Sequence, residues 1–503
     1  MRLLSLTVGG FRNLSETTIE LGGITAFVSP NNYGKSNLLD AIDFGVDFIN
    51  ESPRARTSMM GYVNGIPLVP ELANDNYHFE VELEDEGLGE YRYVRYGFSF
   101  AWLRDDGTGQ TITDETLQIN SQRSGRWTNY LKRNECKYKK GHGTRSFRSI
   151  GLEGNQLAID VLTAIEDIEI NPAIKRIKGL GFSLCTSLDA SPRFRPMPLE
   201  AAGDASANNL PFFDDSDMPR AMYELKVNHR DRYDELLSAL FTLFPEFQEV
   251  SVNPFELKKE EHGALEESLH SAEGEDRVPF RIRDELYRVT IRSSNLNQPV
   301  NVNMMSTGTK RIIWLLTNVV MANAHSAQCL GVEEIETSIH PRMLRQLLEI
   351  LDENIGDTAL LVTSHSPLLI QYLKPRQIYL GVPNETGVAR FRSIREDALD
   401  SIRSFAHDRG SDLVSTCLSS CPRMARIPKC SPIRLRSRDG RRGQLYGGYR
   451  PDRRGCHREG LLLRAHQITS LGSWGYRREG LRWRWDERFG NEARWVVGTG
   501  EDQ

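Results

Sequence analysis

Hydrophobic and polar positions change period twice within the first 50 residues. Leu4, Leu6 and Val8 alternate with Leu3, Ser5 and Thr7, and Thr18-Ile19-Glu20-Leu21 resumes the alternation after a turn. This period of two predicts two half-buried strands. Ile24-Thr25-Ala26-Phe27-Val28 is instead a short apolar run, the pattern of a strand covered on both faces. Beyond Lys35-Ser36-Asn37 the period lengthens. Leu38, Leu39, Ile42, Phe44 and Ile49 fit a helix with a wide buried face.

A second dense region spans roughly residues 279–382. Tyr287 to Arg292 alternates as a strand, and Ile312, Ile313, Leu315, Leu316, Val319 and Val320 repeat at helical spacing. Cys329 to Val332 reads as a short strand, and Met343, Leu344, Leu347, Leu348 and Leu351 as a helix face. Leu360-Leu361-Val362-Thr363 and Ile378-Tyr379-Leu380 follow as strands. Strands alternating with helices predict an α/β fold, a mixed or mainly parallel sheet flanked by helices.

Between these regions lies a large inserted region, 51–278. It contains strand-like stretches (Tyr91 to Trp102), helical ones (Leu157 to Ile168, Asp234 to Phe244) and a charged spacer near Lys258 to Arg277. Sustained a/d heptads are missing, so a long coiled-coil arm is not expected. The chain shows no internal repeat.

The 503 residues suffice for two to four domains, and the balance of 39% apolar and 26% charged residues is that of an ordinary globular protein. No stretch approaches 18 uninterrupted apolar residues, so no transmembrane helix and no membrane partner are expected. Met1-Arg2-Leu3-Leu4-Ser5 runs straight into strand-like residues, unlike a signal peptide. The expected location is the cytoplasm. Seven cysteines, an odd number with three scattered singly through the body, argue against a disulfide framework.

Ser29-Pro30-Asn31-Asn32-Tyr33-Gly34-Lys35-Ser36 follows an apolar strand and opens a helix, the context of a Walker A phosphate loop. Gly34 lets the backbone turn so that N–H groups of the loop, including Asn31, Asn32 and Asn37, face phosphate oxygens, aided by the helix N-terminus. Lys35 would reach the β- and γ-phosphates of ATP, and the Ser36 hydroxyl would ligate Mg²⁺. Ser29 stands where the pattern has its first glycine.

Cys329-Leu330-Gly331-Val332-Glu333-Glu334 is a strand ending in two carboxylates, the form of a Walker B motif. Glu333 could hold Mg²⁺ through its water shell, and Glu334 could orient and deprotonate the attacking water. Leu361-Val362-Thr363-Ser364-His365 is a strand ending in His365, directed to the same sheet edge, because ligands gather at the carboxyl ends of parallel strands. Met305-Ser306-Thr307-Gly308 precedes a helix; Ser306 suits an N-cap, and the same N-terminus suits an anion.

The order Walker A, Ser-x-Gly, Glu-Glu, Glu336-x-x-x-His340-Pro341 and Thr363-Ser364-His365-Ser366-Pro367 resembles the ABC-like AAA-type ATPases related to the OLD family and to chromosome-maintenance and recombination-repair ATPases. Gly10-Phe11-Arg12-Asn13-Leu14 also resembles their first hairpin. The resemblance covers about residues 1–50 and 279–400. It implies a P-loop NTPase with an ABC-ATPase-like head, split into 1–50 and 279–410, acting as a homodimer. It further implies that Ser306 and Gly308 act in trans on ATP held by the other subunit, that His365 contacts the γ-phosphate, and that Glu336 begins a D-loop at the dimer seam. Ile335 replaces the usual proline after the paired glutamates and Ser29 replaces glycine; neither removes a charged catalytic group, so hydrolysis is expected to be slow rather than lost.

The net charge of -5 hides an asymmetry: residues 411–503 carry 18 Arg and one Lys against 10 acids, leaving the body acidic. Within the body, Lys132, Arg133, Lys137, Lys139, Lys140, Arg145 and Arg148 interleave with Tyr130, Tyr138 and Phe147. This run suits DNA or RNA, through phosphate contacts and base stacking, or else is a solvated basic loop. Beyond about Thr416 apolar periodicity vanishes and four of the seven Trp appear. That tail reads as a basic nucleic-acid-binding segment or as out-of-frame translation of a GC-rich gene. Its Cys417, Cys421, Cys430, Cys456 and His457 have poor spacing for zinc.

The expected function is Mg-dependent ATP hydrolysis driving a dimer clamp in DNA-related work or on an effector protein. Alternatives are the ATPase part of an OLD-like nuclease that lacks its TOPRIM domain, and a nucleotide-binding scaffold.

Overall fold

The computed structural model describes residues 1–394 except 89–90, 135–136, 141–147, 150, 165–170, 197, 202–216, 257–262, 264–279, 284, 367 and 382–385. Arg145, Phe147, nearly all of the charged spacer and the whole tail from 411 lie outside these residues. All the described residues fall in one unit, Met1–Lys429; the second unit, Cys430–Gln503, lies outside them.

Nineteen strands are described. β1 (Arg2–Gly9), β2 (Thr17–Glu20), β3 (Ile24–Val28), β4 (Tyr77–Glu84), β5 (Tyr93–Ala101), β6 (Thr111–Asn120), β7 (Thr128–Asn134), β8 (Lys137–Lys140) and β9 (Arg148–Ser149) come first. β10 (Phe182–Cys185), β11 (Leu199–Ala201), β12 (Phe247–Phe255), β13 (Phe280–Ile282), β14 (Leu286–Ser293) and β15 (Val300–Asn301) follow. β16 (Cys329–Val332), β17 (Ala359–Ser364), β18 (Ile378–Gly381) and β19 (Phe391–Ser393) close the series.

Two sheets organise the head. One is antiparallel in the order β2-β1-β4-β5-β6-β7-β8-β9; the other runs β10-β16-β17-β3-β18-β19 and is parallel apart from its edge strand β19. The parallel sheet has a core on each face, and its strands divide their side chains between them. Ile24, Ala26, Val28, Leu330, Val332, Leu360 and Val362 enter one core, while Phe27, Cys329, Ala359 and Leu361 enter the other. Both faces are thus apolar, so these strands read as unbroken runs rather than alternations.

The helix Lys35–Asn50 belongs to the core shared with the antiparallel sheet. Its Phe48 ring stacks on Phe98 and Phe100 of β5, with centroids 4.9 Å from each. Truncating such a side chain to Ala typically costs about 3–5 kcal/mol. Gly45 faces the same sheet, and a Cβ there would lie 2.2 Å from the Phe79 ring and 2.4 Å from the Tyr77 hydroxyl. The phosphate-loop helix is therefore packed closely against β4.

The other core holds the helices Met218–Asn228, Arg230–Leu243, Thr307–Ala324 and Pro341–Asn354, with Trp314 fully buried among them. β12, β14 and β15 pair beside them. The inserted stretch 51–278 contributes strands that pair with strands of the head. Its β4 to β9 extend the sheet begun by β1, and its β10 is the edge strand beside β16. Four residues with no alternation, Phe182-Ser183-Leu184-Cys185, carry too weak a period to announce such a strand.

Candidate functional site

β17 lies between β3 and β16, all three parallel. The carboxyl ends of three neighbouring strands thus deliver the Walker A loop, His365 and the paired glutamates to one edge.

After β3 the chain turns through Asn32 and Gly34, whose φ values are 69° and 82°. Glycine is required at the second position. A Cβ there would approach Ala389 Cβ to 2.7 Å and Asn13 Oδ1 to 3.0 Å, in addition to the left-handed backbone. Lys35 opens the helix and is buried; its Nζ donates to the carbonyls of Ser29 (2.9 Å) and Pro30 (3.1 Å). Burial lowers the Lys35 pKa, and the negative charges of Glu334, Glu336 and Glu333 oppose that shift. Ser29 has a structural counterpart for its departure from glycine. A Cβ on Gly381 of β18 would come within 2.8 Å of Ser29 Cβ, so one side chain is accommodated by the absence of the other.

Asn31 and Asn32 are exposed on the loop, and Ser36 is exposed in the first turn of the helix. Asn37 turns its side chain away toward the first hairpin, donating to Asn13 Oδ1 (2.7 Å) and accepting from Arg12 Nη1 (2.8 Å). Arg12 also pairs with Asp40 at 2.5 Å. The Gly-Phe-Arg-Asn hairpin therefore buttresses the phosphate-loop helix, which its sequence alone did not reveal.

Glu334 holds a left-handed backbone, φ 47°, rare for a residue with a side chain. Its N–H donates to Thr363 Oγ1 at 3.1 Å, and the next N–H, from buried Ile335, donates to the Thr363 carbonyl at 3.3 Å. Such strain costs on the order of 1–3 kcal/mol and persists where neighbours over-determine it. Thr337 Oγ1 donates to Glu334 Oε2 at 3.2 Å, and His365 Nδ1 lies 3.6 Å from Glu334 Oε1.

Glu336 faces inward. Its Oε1 accepts from Ser364 Oγ (2.7 Å), Ser366 N (3.1 Å) and His365 N (3.2 Å), while Oε2 is buried without a hydrogen bond. Glu336 thereby shapes the turn that carries His365, a positioning role the sequence reading missed.

Ser306 caps the helix Thr307–Ala324, its Oγ accepting from Thr309 N at 3.1 Å. A Cβ on Gly308 would stand 2.5 Å from the Ser338 carbonyl, so the Ser-x-Gly element abuts the loop after the paired glutamates within one chain. One turn on, fully buried Arg311 donates through Nη1 to the Ser187 carbonyl and through Nη2 to the carbonyls of Glu333 (2.8 Å) and Glu334 (3.4 Å). The signal for Arg311 was a lone guanidinium heading the apolar run 312–322.

The basic run is smaller than its sequence suggests. β7 alternates, so Leu131 and Arg133 point inward while Lys132 and Asn134 point out. Arg133 is 1% exposed, lies 3.7 Å from Glu115, and donates to the carbonyls of Gln156 and, at 3.3 Å, Glu153. Glu115, whose own pKa burial raises, accepts the N–H groups of Ala158 (2.7 Å) and Ile159 (3.1 Å). Arg133 is thus a core ion-pair residue, not part of a nucleic-acid patch. Lys132 stays exposed, and its backbone pairs opposite Lys139 of β8.

Among the described residues no helix is long and apolar enough to cross a membrane. Cys185 and Cys329 are buried, and the Cys185 thiol donates to Asn318 Oδ1 at 3.3 Å.

Residues 168–371 match the family described as "AAA domain, putative AbiEii toxin, Type IV TA system". No curated protein matches the chain. Solved structures similar to it include an SMC head bound to the C-terminal winged-helix domain of ScpA: 14% identity, TM-score 0.43, 80% of this chain and 100% of that one. The SMC head domain of Thermotoga maritima gives 13% identity and a TM-score of 0.36 over 78% and 100% of the two chains. A Pyrococcus furiosus Smc head with an extended coiled coil, bound to the C-terminal domain of ScpA, gives 14% and 0.40 over 80% and 99%.

Proposed function

We propose, for a chain that carries an AAA/ABC-like P-loop ATPase head, that it binds Mg-ATP at the carboxyl edge of β3, β17 and β16 and hydrolyses the γ-phosphate. The observation that carries this reading is the position of Lys35, buried beside the negative charges of Glu333, Glu334 and Glu336. Lys35 rests on two loop carbonyls; phosphate oxygens would replace them as acceptors. The Gly34 cradle and the exposed Ser36 fit a phosphate with its cation. Ser36 and Glu333 are the residues that would hold Mg²⁺, which offsets phosphate charge when bound.

Glu334 is the general base in this reading, orienting and deprotonating the attacking water. Its strained backbone and its link to Thr337 hold the carboxylate at the sheet edge. His365, placed by Glu336, donates toward the γ-phosphate. Ser306 and Gly308 complete the site of a second subunit, giving an ATP-closed dimer with DNA-related or partner-protein work as its output.

The test is Glu334→Gln. Mg-ATP binding should persist while phosphate release falls by about 10²-fold or more, the scale of a lost general base. Unchanged turnover would reject the assignment.

A further inference from the structure

On the face of the parallel sheet that carries the Thr307–Ala324 helix, side chains from two segments remote in sequence converge, Glu224 and His229 from one and His325 from the other. Glu224, His229 and His325 each offer one ligand atom, and those atoms lie within 4.8 Å of one another. His325 Nε2 is 3.2 Å from Glu224 Oε1, and the two imidazole rings are 5.5 Å apart at their centroids. His325 is 21% and Glu224 34% exposed, so the cluster is half-buried and open to an entering ion.

The backbone adds a second, independent reason for a cation. His229 is the C-cap of the helix Met218–Asn228, and His325 is the C-cap of the helix Thr307–Ala324. Two helix C-termini, each carrying partial negative charge, therefore end at the cluster; one helix N-terminus, that of Arg230–Leu243, opposes them.

We propose that Glu224, His229 and His325 bind one divalent transition-metal ion, with Zn²⁺ as the ion they suit best. Two imidazole nitrogens and one carboxylate oxygen are borderline donors that suit zinc better than magnesium or calcium. Typical zinc distances of about 2.0–2.2 Å require the three atoms to draw closer together on binding. Three protein ligands leave one coordination position for water. The ion would tie the hinge between two helices to the far end of the Ser306–Gly308 helix, whose 18 residues span about 27 Å. It is a structural clamp on the helical layer, separate from the nucleotide edge, and it stands or falls independently of the ATPase reading.

The experiment is a calorimetric Zn²⁺ titration of the chelator-stripped full chain, compared with His229→Asn/His325→Asn and with Glu224→Gln. Because Cys417, Cys421, Cys430, Cys456 and His457 could take zinc separately, the readout is the difference between proteins. The double variant should lose one equivalent, and Glu224→Gln should weaken that equivalent at least about tenfold. Zinc should also raise the melting temperature of the wild type by at least about 2 °C more than that of the double variant. Asparagine is accepted at helix C-termini and is a good N-cap, the position His229 also holds for Arg230–Leu243. If the double variant misfolds, the visible absorption of bound Co²⁺ in wild type against Glu224→Gln decides the matter. Equal stoichiometry and affinity in all three proteins, or Co²⁺ spectra unaffected by Glu224→Gln, would overturn the site.

Discussion

Arg311 Nη2 donates to the backbone carbonyl of Glu333 at 2.8 Å. This bond joins the second turn of the helix Thr307–Ala324 to the strand end bearing the paired carboxylates. The same guanidinium reaches the carbonyls of Ser187 and Glu334, so three segments meet on one fully buried cation. Arg311→Met should leave those carbonyls unsatisfied and lower stability by roughly 2–4 kcal/mol, measured by chemical denaturation. Hydrolysis should fall while ATP binding persists, because the Lys35 loop is untouched. Equal stability in Arg311→Met would reduce the bridge to mere packing.

In the proposed dimer, Ser306 and Gly308 of one subunit would cover ATP held by the other. ATP should promote dimerisation of the Glu334→Gln protein in light scattering, because ATP is contacted from both sides only in the dimer. Ser306→Arg should abolish that shift and hydrolysis while sparing ATP affinity. Normal hydrolysis in Ser306→Arg would leave Ser306 only as the helix cap the structure displays.

Asp43 ties stability to pH. Burial, then the charges of Asp47 and Asp40, push its carboxyl up to about 7. A folded pKa above the unfolded one means the folded state holds a proton that the unfolded state has released. Stability should therefore decline as pH rises from about 4 to about 7, and that contribution is absent above it. At one pKa unit per roughly 1.4 kcal/mol, Asp43→Asn should stabilise the fold by roughly 2–4 kcal/mol at pH 8 and little at pH 4. A stability gain independent of pH would contradict the assignment.

For the basic strands, the outcome concerns salt. Lys137→Ala, Lys139→Ala and Lys140→Ala together should weaken DNA or RNA binding and flatten its salt dependence. Arg133→Ala should instead destabilise the fold, because it strips buried Glu115 of the cation beside it. An unaltered salt slope in the triple variant would leave this segment as a solvated basic stretch.

Much of the head was legible in the chain. The unbroken run at Ile24–Val28, the Gly34-Lys35-Ser36 turn and the carboxylates after Val332 are local patterns with local causes: a strand covered on both faces, a left-handed turn, a strand end. Their meeting at one edge needed only the rule that parallel strands place loops together. What residues 51–278 do was not legible, since sheet membership depends on pairing between distant strands. β10 announces itself by no period of its own, and only Cys329–Val332 beside it makes it a strand of the head.

Side-chain direction was the other matter left to tertiary structure. Arg133 and Lys132 are adjacent cations in the sequence; the pleat of β7 sends one into the core and the other to solvent. Glu336 reads as a seam residue beside a dimer, yet it turns inward because the N–H groups of His365 and Ser366 need an acceptor. The sequence by itself determined which residues could carry phosphate chemistry and in what order along the chain. Tertiary structure alone decided which charges face one another, because burial and hydrogen-bond demand are set by neighbours far away in the chain.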